Sequence, residues 1–159
     1  MKRSLVAWFN GRPVGELTEQ NNLWCFAYSG EWLAADEGFD LSPALPRQSG
    51  PLCDGGSDRP VQWFFDNLLP EEGLRTLLAA DAKVDQADAF GLLSYFGAES
   101  AGALVLLPPG RHPEAGSLQP LPREALSGRI GALPKVPLTR HSPKRMSPVS
   151  YTHLTLPTN

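Results

Sequence analysis

At 159 residues and a formal net charge of −3, the chain has room for one domain and lacks the excess of Lys and Arg that draws proteins onto nucleic acid or anionic membranes. Its 42% hydrophobic and 19% charged residues are those of a globular protein, yet 16 Pro and 15 Gly demand long irregular stretches. No apolar run approaches the roughly 20 residues that span a bilayer, and the N-terminal apolar stretch is too short for a signal peptide, so a membrane role is not expected.

The first element is a hairpin. Leu5 to Phe9 and Arg12 to Leu17 flank Asn10-Gly11, the preferred pair for a two-residue turn in which both central φ angles are positive. Pro13 cannot donate to a ladder, so the second strand should leave that position unpaired or at an edge. A third strand is predicted over Leu23 to Tyr28, with Trp24, Phe26 and Tyr28 on one face and Leu23, Cys25 and Ala27 on the other. The aromatic face should be buried.

From Tyr28 to Asp58 periodicity is lost, because Gly38, Pro43, Pro46, Gly50, Pro51, Gly55 and Gly56 interrupt any regular element. Inside this long loop, Glu31 to Ala34 suits a short helical turn and Leu41 to Pro46 an extended segment. The clearest helix signal follows. Pro60 suits a first turn, and Val61, Phe64, Phe65, Leu68 and Leu69 form a stripe at helical spacing until Pro70 stops or bends it. Leu74, Leu77 and Leu78 predict a second short helix. Phe90, Leu93 and Phe96 predict a third, with Asp85 as N-cap and Gly97 as stop.

Gly102 to Leu107 reads as a short buried strand, ended by Pro108-Pro109. Beyond it, proline density marks a linker, in which a helix over Arg123 to Ala132 is weakened by Gly128 and Gly131. The fold class expected is α+β: a small, mainly antiparallel sheet with three or more short helices packed on it. Cys25 and Cys53 lack metal-ligand spacing, and the expectation is a reduced cytoplasmic protein.

Particular strings narrow this reading. Trp8-Phe9-Asn10-Gly11-Arg12-Pro13-Val14-Gly15-Glu16-Leu17 resembles the opening hairpin of HipA-type kinases. Leu41-Ser42-Pro43-Ala44-Leu45-Pro46 stands in the place of that family's L-S-x-x-L-P, and Phe65-Asp66-Asn67-Leu68-Leu69-Pro70-Glu71 resembles its F-D-N-L-L-P-D/E signature. Phe90-Gly91-Leu92-Leu93 and then Gly97-Ala98-Glu99-Ser100-Ala101-Gly102-Ala103 are similar to its D-L-L segment and G-x-D-x-x-G-A motif, with Glu99 where the family often has Asp. The four occur in the family's order at about its spacing. Residues 53–58 follow no family pattern.

The resemblance implies an N-terminal subdomain over residues 1–107 and a Pro-rich linker over 108–147. It also implies a parent protein that is a bacterial serine/threonine kinase toxin, associated with persistence, of a type II toxin-antitoxin system. The parent would use ATP and Mg. Its partner would be a HipB-like helix-turn-helix antitoxin, through which alone it would meet DNA. The family's phosphate-gripping loop, catalytic Asp and magnesium ligands lie C-terminal to this subdomain, so no catalytic, cofactor-binding or metal residue is assigned here. The family-motif residues Asn10, Gly11, Gly15, Leu41, Ser42, Leu45, Pro46, Phe65 to Pro70, Gly97 and Gly102 are read as structural or docking positions.

The family pattern stops at Ser147, where R-x-S-L-A-G-A-Q-x-K would open the nucleotide-binding part. Pro148 to Asn159 instead matches the translation of a transposase mosaic end joined to a widely used sequencing adapter, and is read as adapter-derived rather than native. The expectation is a truncated kinase whose missing core would pack on this subdomain. The alternative is a stand-alone antitoxin-like protein of a three-gene HipA-type system that inhibits a separate kinase.

Other residues favour plain readings. Asp66 and Asn67 could hold magnesium in a kinase, but on a helix with so strong an apolar stripe they are better read as capping it or bonding a neighbouring loop. Trp8, Trp24 and Trp63 are expected in the core, and Trp32, at the start of the loop, is the aromatic to watch as an exposed docking residue. The basic run Arg140, His141, Lys144 and Arg145 suits a solvated linker. His112, His141 and His153 assemble no triad or metal site, and Gly55-Gly56 and Gly91 lack the context of a phosphate loop.

Overall fold

A computed structural model describes residues 2–99, 103–113 and 122–132. Residues as far as Pro113 make one compact unit, and the helix Arg123–Ala132 lies in a second unit that begins at Glu114. The core of the first unit is an antiparallel sheet of β1 (Arg3–Phe9), β2 (Arg12–Gln20), β3 (Leu23–Tyr28), β4 (Leu52–Cys53) and β5 (Val105–Leu107), ordered β4-β3-β2-β1-β5. Four helices accompany it: α1 (Gly30–Ala34), α2 (Pro60–Asp66), α3 (Glu72–Ala82) and α4 (Ala89–Phe96), the last running into a 3-10 turn at Gly97–Glu99. The α+β fold expected from the sequence is the fold found.

Local chemistry sets the strand connections. Asn10 and Gly11 have φ of 48° and 77°, the two positive values that a tight hairpin between right-twisted strands requires. Asn21 and Asn22 repeat the device between β2 and β3, with φ of 54° and 61°. Contrary to expectation, Pro13 is neither unpaired nor on an edge strand: it stands opposite Trp8 in a strand flanked by β1 and β3, beside a register shift in the β1–β2 ladder between Ala7 and Trp8. The inward rows then read Leu5, Leu17 and Phe26, and next to them Ala7, Gly15 and Tyr28. Gly15 is required there: a Cβ would stand 2.3 Å from the Ala27 carbonyl oxygen and 2.6 Å from the Phe26 ring. Trp24, Phe26 and Tyr28 are all buried, as their alternation predicts.

Several local expectations are corrected. The Leu41 to Pro46 segment is not extended but folds into a tight turn, Leu45 N–H donating to Ser42 O at 2.9 Å with a bridge between the two residues. Trp32 is buried rather than exposed. Ser29 caps α1 through its hydroxyl while donating to Pro13 O, which turns the Trp32 indole inward between Phe9 and Phe39. Trp63 is the exposed tryptophan instead, at 55%.

On α3 the inward face is Leu78 and Ala79, buried, with Arg75 and Ala82 half-buried, while Leu74 and Leu77 face outward, because the Arg75 ion pair with Asp66 sets the rotation of the helix. Asp88, not Asp85, caps α4 by accepting Gly91 N–H at 3.0 Å; Asp85 forms the preceding turn by accepting Ala87 N–H. Finally, Cys25 and Cys53 are not free thiols. They face each other across β3 and β4 and are joined in a disulfide.

Candidate functional site

The Leu41–Leu45 and Phe65–Leu69 motifs meet in one part of the core. Phe65 is fully buried on α2, its ring 5.3 Å from that of Phe26, which in turn meets Tyr28 at 5.0 Å. The Tyr28 hydroxyl donates to Leu45 O and accepts Leu41 N–H at 2.9 Å, so one phenol pins both ends of the Leu41–Leu45 turn. Leu45 is fully buried beneath it, Leu41 and Ser42 are half-buried, and Pro46 is exposed. Burial pushes the Tyr28 hydroxyl above its ordinary range. The turn, the α2 motif and the aromatic face of β3 are thus a single packed unit.

After Phe65, α2 ends because Pro70 forbids a longer helix. Asn67 supplies the C-cap, its N–H reaching Trp63 O at 3.2 Å, and Leu68 and Leu69 N–H close further turns onto Phe65 O and Asp66 O. Leu69 is buried and Pro70 half-buried. Asp66 accepts from Arg75 at 2.8 Å, and Arg75 Nε donates to Gln86 O at 3.1 Å, so the motif carboxylate ties α2 to α3 and to the turn after it. Asp66 thus acts through its side chain, whereas Asn67 enters the C-cap through its backbone N–H.

The N-terminus of α2 is capped from a distance. Arg59, the residue at the cap position, makes no side-chain cap, and the buried Asp54 carboxylate accepts Val61 N–H at 2.8 Å and Gln62 N–H at 3.0 Å instead. Burial raises the Asp54 carboxyl above its ordinary range, against the two amides that favour its charged form. Residues 53–58, which matched no motif, supply this cap and the edge strand before it.

A second polar cluster crosses the inner face at the other end of β1. Arg3 donates to Glu19 at 2.7 Å and to both oxygens of Asp88 at 2.8 and 2.9 Å, and stacks over the Phe90 ring at 4.9 Å. Glu19 also accepts Asn22 N–H at 2.7 Å, which ties the cluster to the second hairpin turn. Burial works to raise the Glu19 and Asp88 carboxyls, but the hydrogen bonds from Arg3 and the backbone outweigh it and hold both below the usual carboxylate range. These partners are 16 and 85 residues from Arg3, and sequence pattern carries no signal for them.

The remaining motif positions have local roles. Gly97 lies against β5, where a Cβ would stand 2.6 Å from Leu106 Cβ. Gly102 falls outside the described residues, as do the basic run from Arg140 to Arg145, His141, His153 and the suspected adapter-derived tail. His112 packs edge-on to Trp8 with ring centroids 5.1 Å apart. Among the described residues no three His, Cys, Asp or Glu side chains gather as a metal site, and no helix is long and apolar enough to cross a membrane. Trp63 on α2 and Leu74 and Leu77 on α3 are exposed apolar side chains on the two helices joined by the Asp66–Arg75 pair.

A hairpin-led antiparallel sheet that carries these motifs on α2, on the Leu41–Leu45 turn and at Gly97 defines a class, and the chain belongs to it: the profile of the HipA N-terminal domain matches residues 5–107. The chain is 31% identical over 119 residues to the serine/threonine-protein kinase toxin HipA of Shewanella oneidensis, covering 74% of this chain and 26% of that protein. It is 38% identical over 143 residues to Y4mE of Sinorhizobium fredii, which carries the name of a kinase, covering 86% of this chain and 33% of that protein. A solved complex of Shewanella oneidensis HipA, HipB and operator DNA contains a chain similar to this one, with a TM-score of 0.64 and 25% identity, covering 91% of this chain and 33% of that one. The chain thus spans about a quarter to a third of the length of the curated relatives it matches.

Proposed function

We propose that this chain is the docking and regulatory subdomain of a bacterial, cytoplasmic HipA-type toxin kinase of a type II toxin-antitoxin system. The observation that carries the reading is the domain match over residues 5–107 together with coverage of only 26% and 33% of the two kinase-named relatives. The residues that would perform phosphoryl transfer, using ATP and Mg, then belong to a kinase core encoded beyond Ser147, reached through the Pro-rich residues 108–147, and Pro148 to Asn159 is adapter-derived.

The partner in this reading is a HipB-like antitoxin, and DNA is met only through it. The exposed Trp63, Leu74 and Leu77 support a docking role, since apolar surface beside rigid, capped helices suits burial against a second body. Sequencing the parent gene past the Ser147 codon tests the proposal. A continuation resembling L-A-G-A-Q supports it. A stop codon, with a separate kinase gene downstream, would instead favour the stand-alone antitoxin-like protein.

A further inference from the structure

The cross-strand cysteines are a feature that neither the motifs nor the family reading uses. Asp54 N–H donates to Trp24 O at 2.8 Å, which makes that row of the β3–β4 ladder the hydrogen-bonded one and the adjoining Cys25–Cys53 row the non-hydrogen-bonded one. Side chains in such rows approach most closely, and here the Cα atoms are 4.0 Å apart. Both sulfurs lie on the outer face of the sheet, away from the core, and Cys53 is exposed. That face is concave, a cavity of about 520 Å³ lined by Glu16, Thr18, Leu23, Cys25, Ala27 and Cys53, so the disulfide is open to a small molecule in solution.

What the disulfide holds is equally specific. β4 is two residues long, and the residue immediately after Cys53 is Asp54, which caps α2 through Val61 and Gln62. We propose that Cys25–Cys53 is a thiol-exchange site through which a low-molecular-weight thiol, of the glutathione class, sets the N-terminal capping of α2. The thiolate of the small molecule attacks Cys53 Sγ, the Cys25–Cys53 bond breaks, and Cys25 leaves as a thiolate that takes a proton from water. A second thiol attacks the small molecule's sulfur in the resulting mixed disulfide and releases Cys53 as a thiolate that is protonated; the two small-molecule thiols have supplied two electrons to the protein cysteines and leave joined as their own disulfide. Reversal of the same exchange restores the bond.

Once the bond is cut, two residues of ladder hold β4, and the Asp54 carboxylate is no longer fixed beneath the first turn of α2. The consequence is local. β1, β2 and the body of β3 keep their full pairing.

The test uses the 159-residue chain equilibrated across glutathione buffers from oxidised to reduced. Free thiols are counted by alkylation and intact mass, and amide hydrogen exchange is followed residue by residue. Loss of both thiols in oxidised buffer is expected. Reduction should speed exchange at Val61 and Gln62 about tenfold while leaving Leu5 and Leu17 unchanged. The Cys25→Ser chain should show the fast rates in both buffers. Thiols that stay free in oxidised buffer, α2 amides indifferent to reduction, or faster exchange throughout the sheet would each overturn the proposal, the last because it would make the bond a staple for the whole fold.

Discussion

The Asp66 carboxylate meets the Arg75 guanidinium at 2.8 Å, and through that one pair the helix bearing the family motif is locked to the helix after it. Arg75 is well covered, at 18% side-chain exposure, and Asp66 less so, at 37%, so the pair is worth more than a surface ion pair and less than a buried one. Asp66→Ala is expected to lower unfolding free energy by about 1 kcal/mol. A double-mutant cycle with Arg75→Ala in urea checks this, and simple additivity of the two losses would show that the residues do not interact.

Tyr28→Phe removes a single oxygen that serves two backbone groups, Leu45 O and Leu41 N–H. A loss of about 1–3 kcal/mol is expected, because the Leu45 carbonyl is left buried without its donor. Chemical denaturation gives the magnitude. Amide shifts confined to residues 41–46 would locate the change in the motif turn, and an unchanged spectrum there would contradict the role assigned to the phenol.

Gly15 and Gly11 should respond differently to alanine. At Gly15 the new methyl meets backbone, the Ala27 carbonyl oxygen at 2.3 Å, whereas at Gly11 it meets open space and only the φ of 77° resists it. Gly11→Ala should cost about 1 kcal/mol and Gly15→Ala well over 2 kcal/mol, from overpacking in the middle of the sheet. Equal melting temperatures for the two variants would refute the packing argument.

The Arg3 cluster sets an acid limit on stability. Glu19 and Asp88 have carboxyls held below the usual range in the folded chain, so they protonate more readily when unfolded. Their contribution is therefore present above the ordinary carboxylate range near pH 4 and is lost as pH falls below it. Asp54, raised by burial, has the opposite sign, favouring the fold at low pH and losing that advantage as pH rises through its elevated value. Arg3→Ala should cost about 1–3 kcal/mol at neutral pH and flatten the acid slope, as read from urea midpoints between pH 6 and 3. A variant slope as steep as that of the parent would mean the cluster does not govern acid sensitivity.

Phe65 and Trp63, two residues apart on α2, allow folding and the proposed docking to be tested separately. Phe65→Ala empties a fully buried site and should cost about 3–5 kcal/mol. Trp63→Ala, at a 55% exposed position, should leave stability within about 0.5 kcal/mol and weaken binding to a separately expressed kinase core. Calorimetric titration distinguishes the two, and undiminished affinity in the Trp63 variant would remove that surface from the docking reading.

Much was legible without coordinates, and for a common reason. The Asn10-Gly11 hairpin, the alternation of Trp24, Phe26 and Tyr28, and the stripe from Val61 to Leu69 stopped by Pro70 are all short-range patterns, set by turn dihedrals, a two-residue strand period and a helical period. The family motifs are strings of the same local kind. What tertiary structure alone decided depends on groups distant along the chain. Arg75 rather than Leu74 or Leu77 faces inward because Asp66 waits on another helix, Trp32 is buried because Ser29 bonds back to Pro13, and α2 is capped by Asp54. The pairing of Cys25 with Cys53, 28 residues apart, follows from the register of an edge strand only two residues long. No periodicity encodes such a register, because it is set by how the whole loop returns to the sheet.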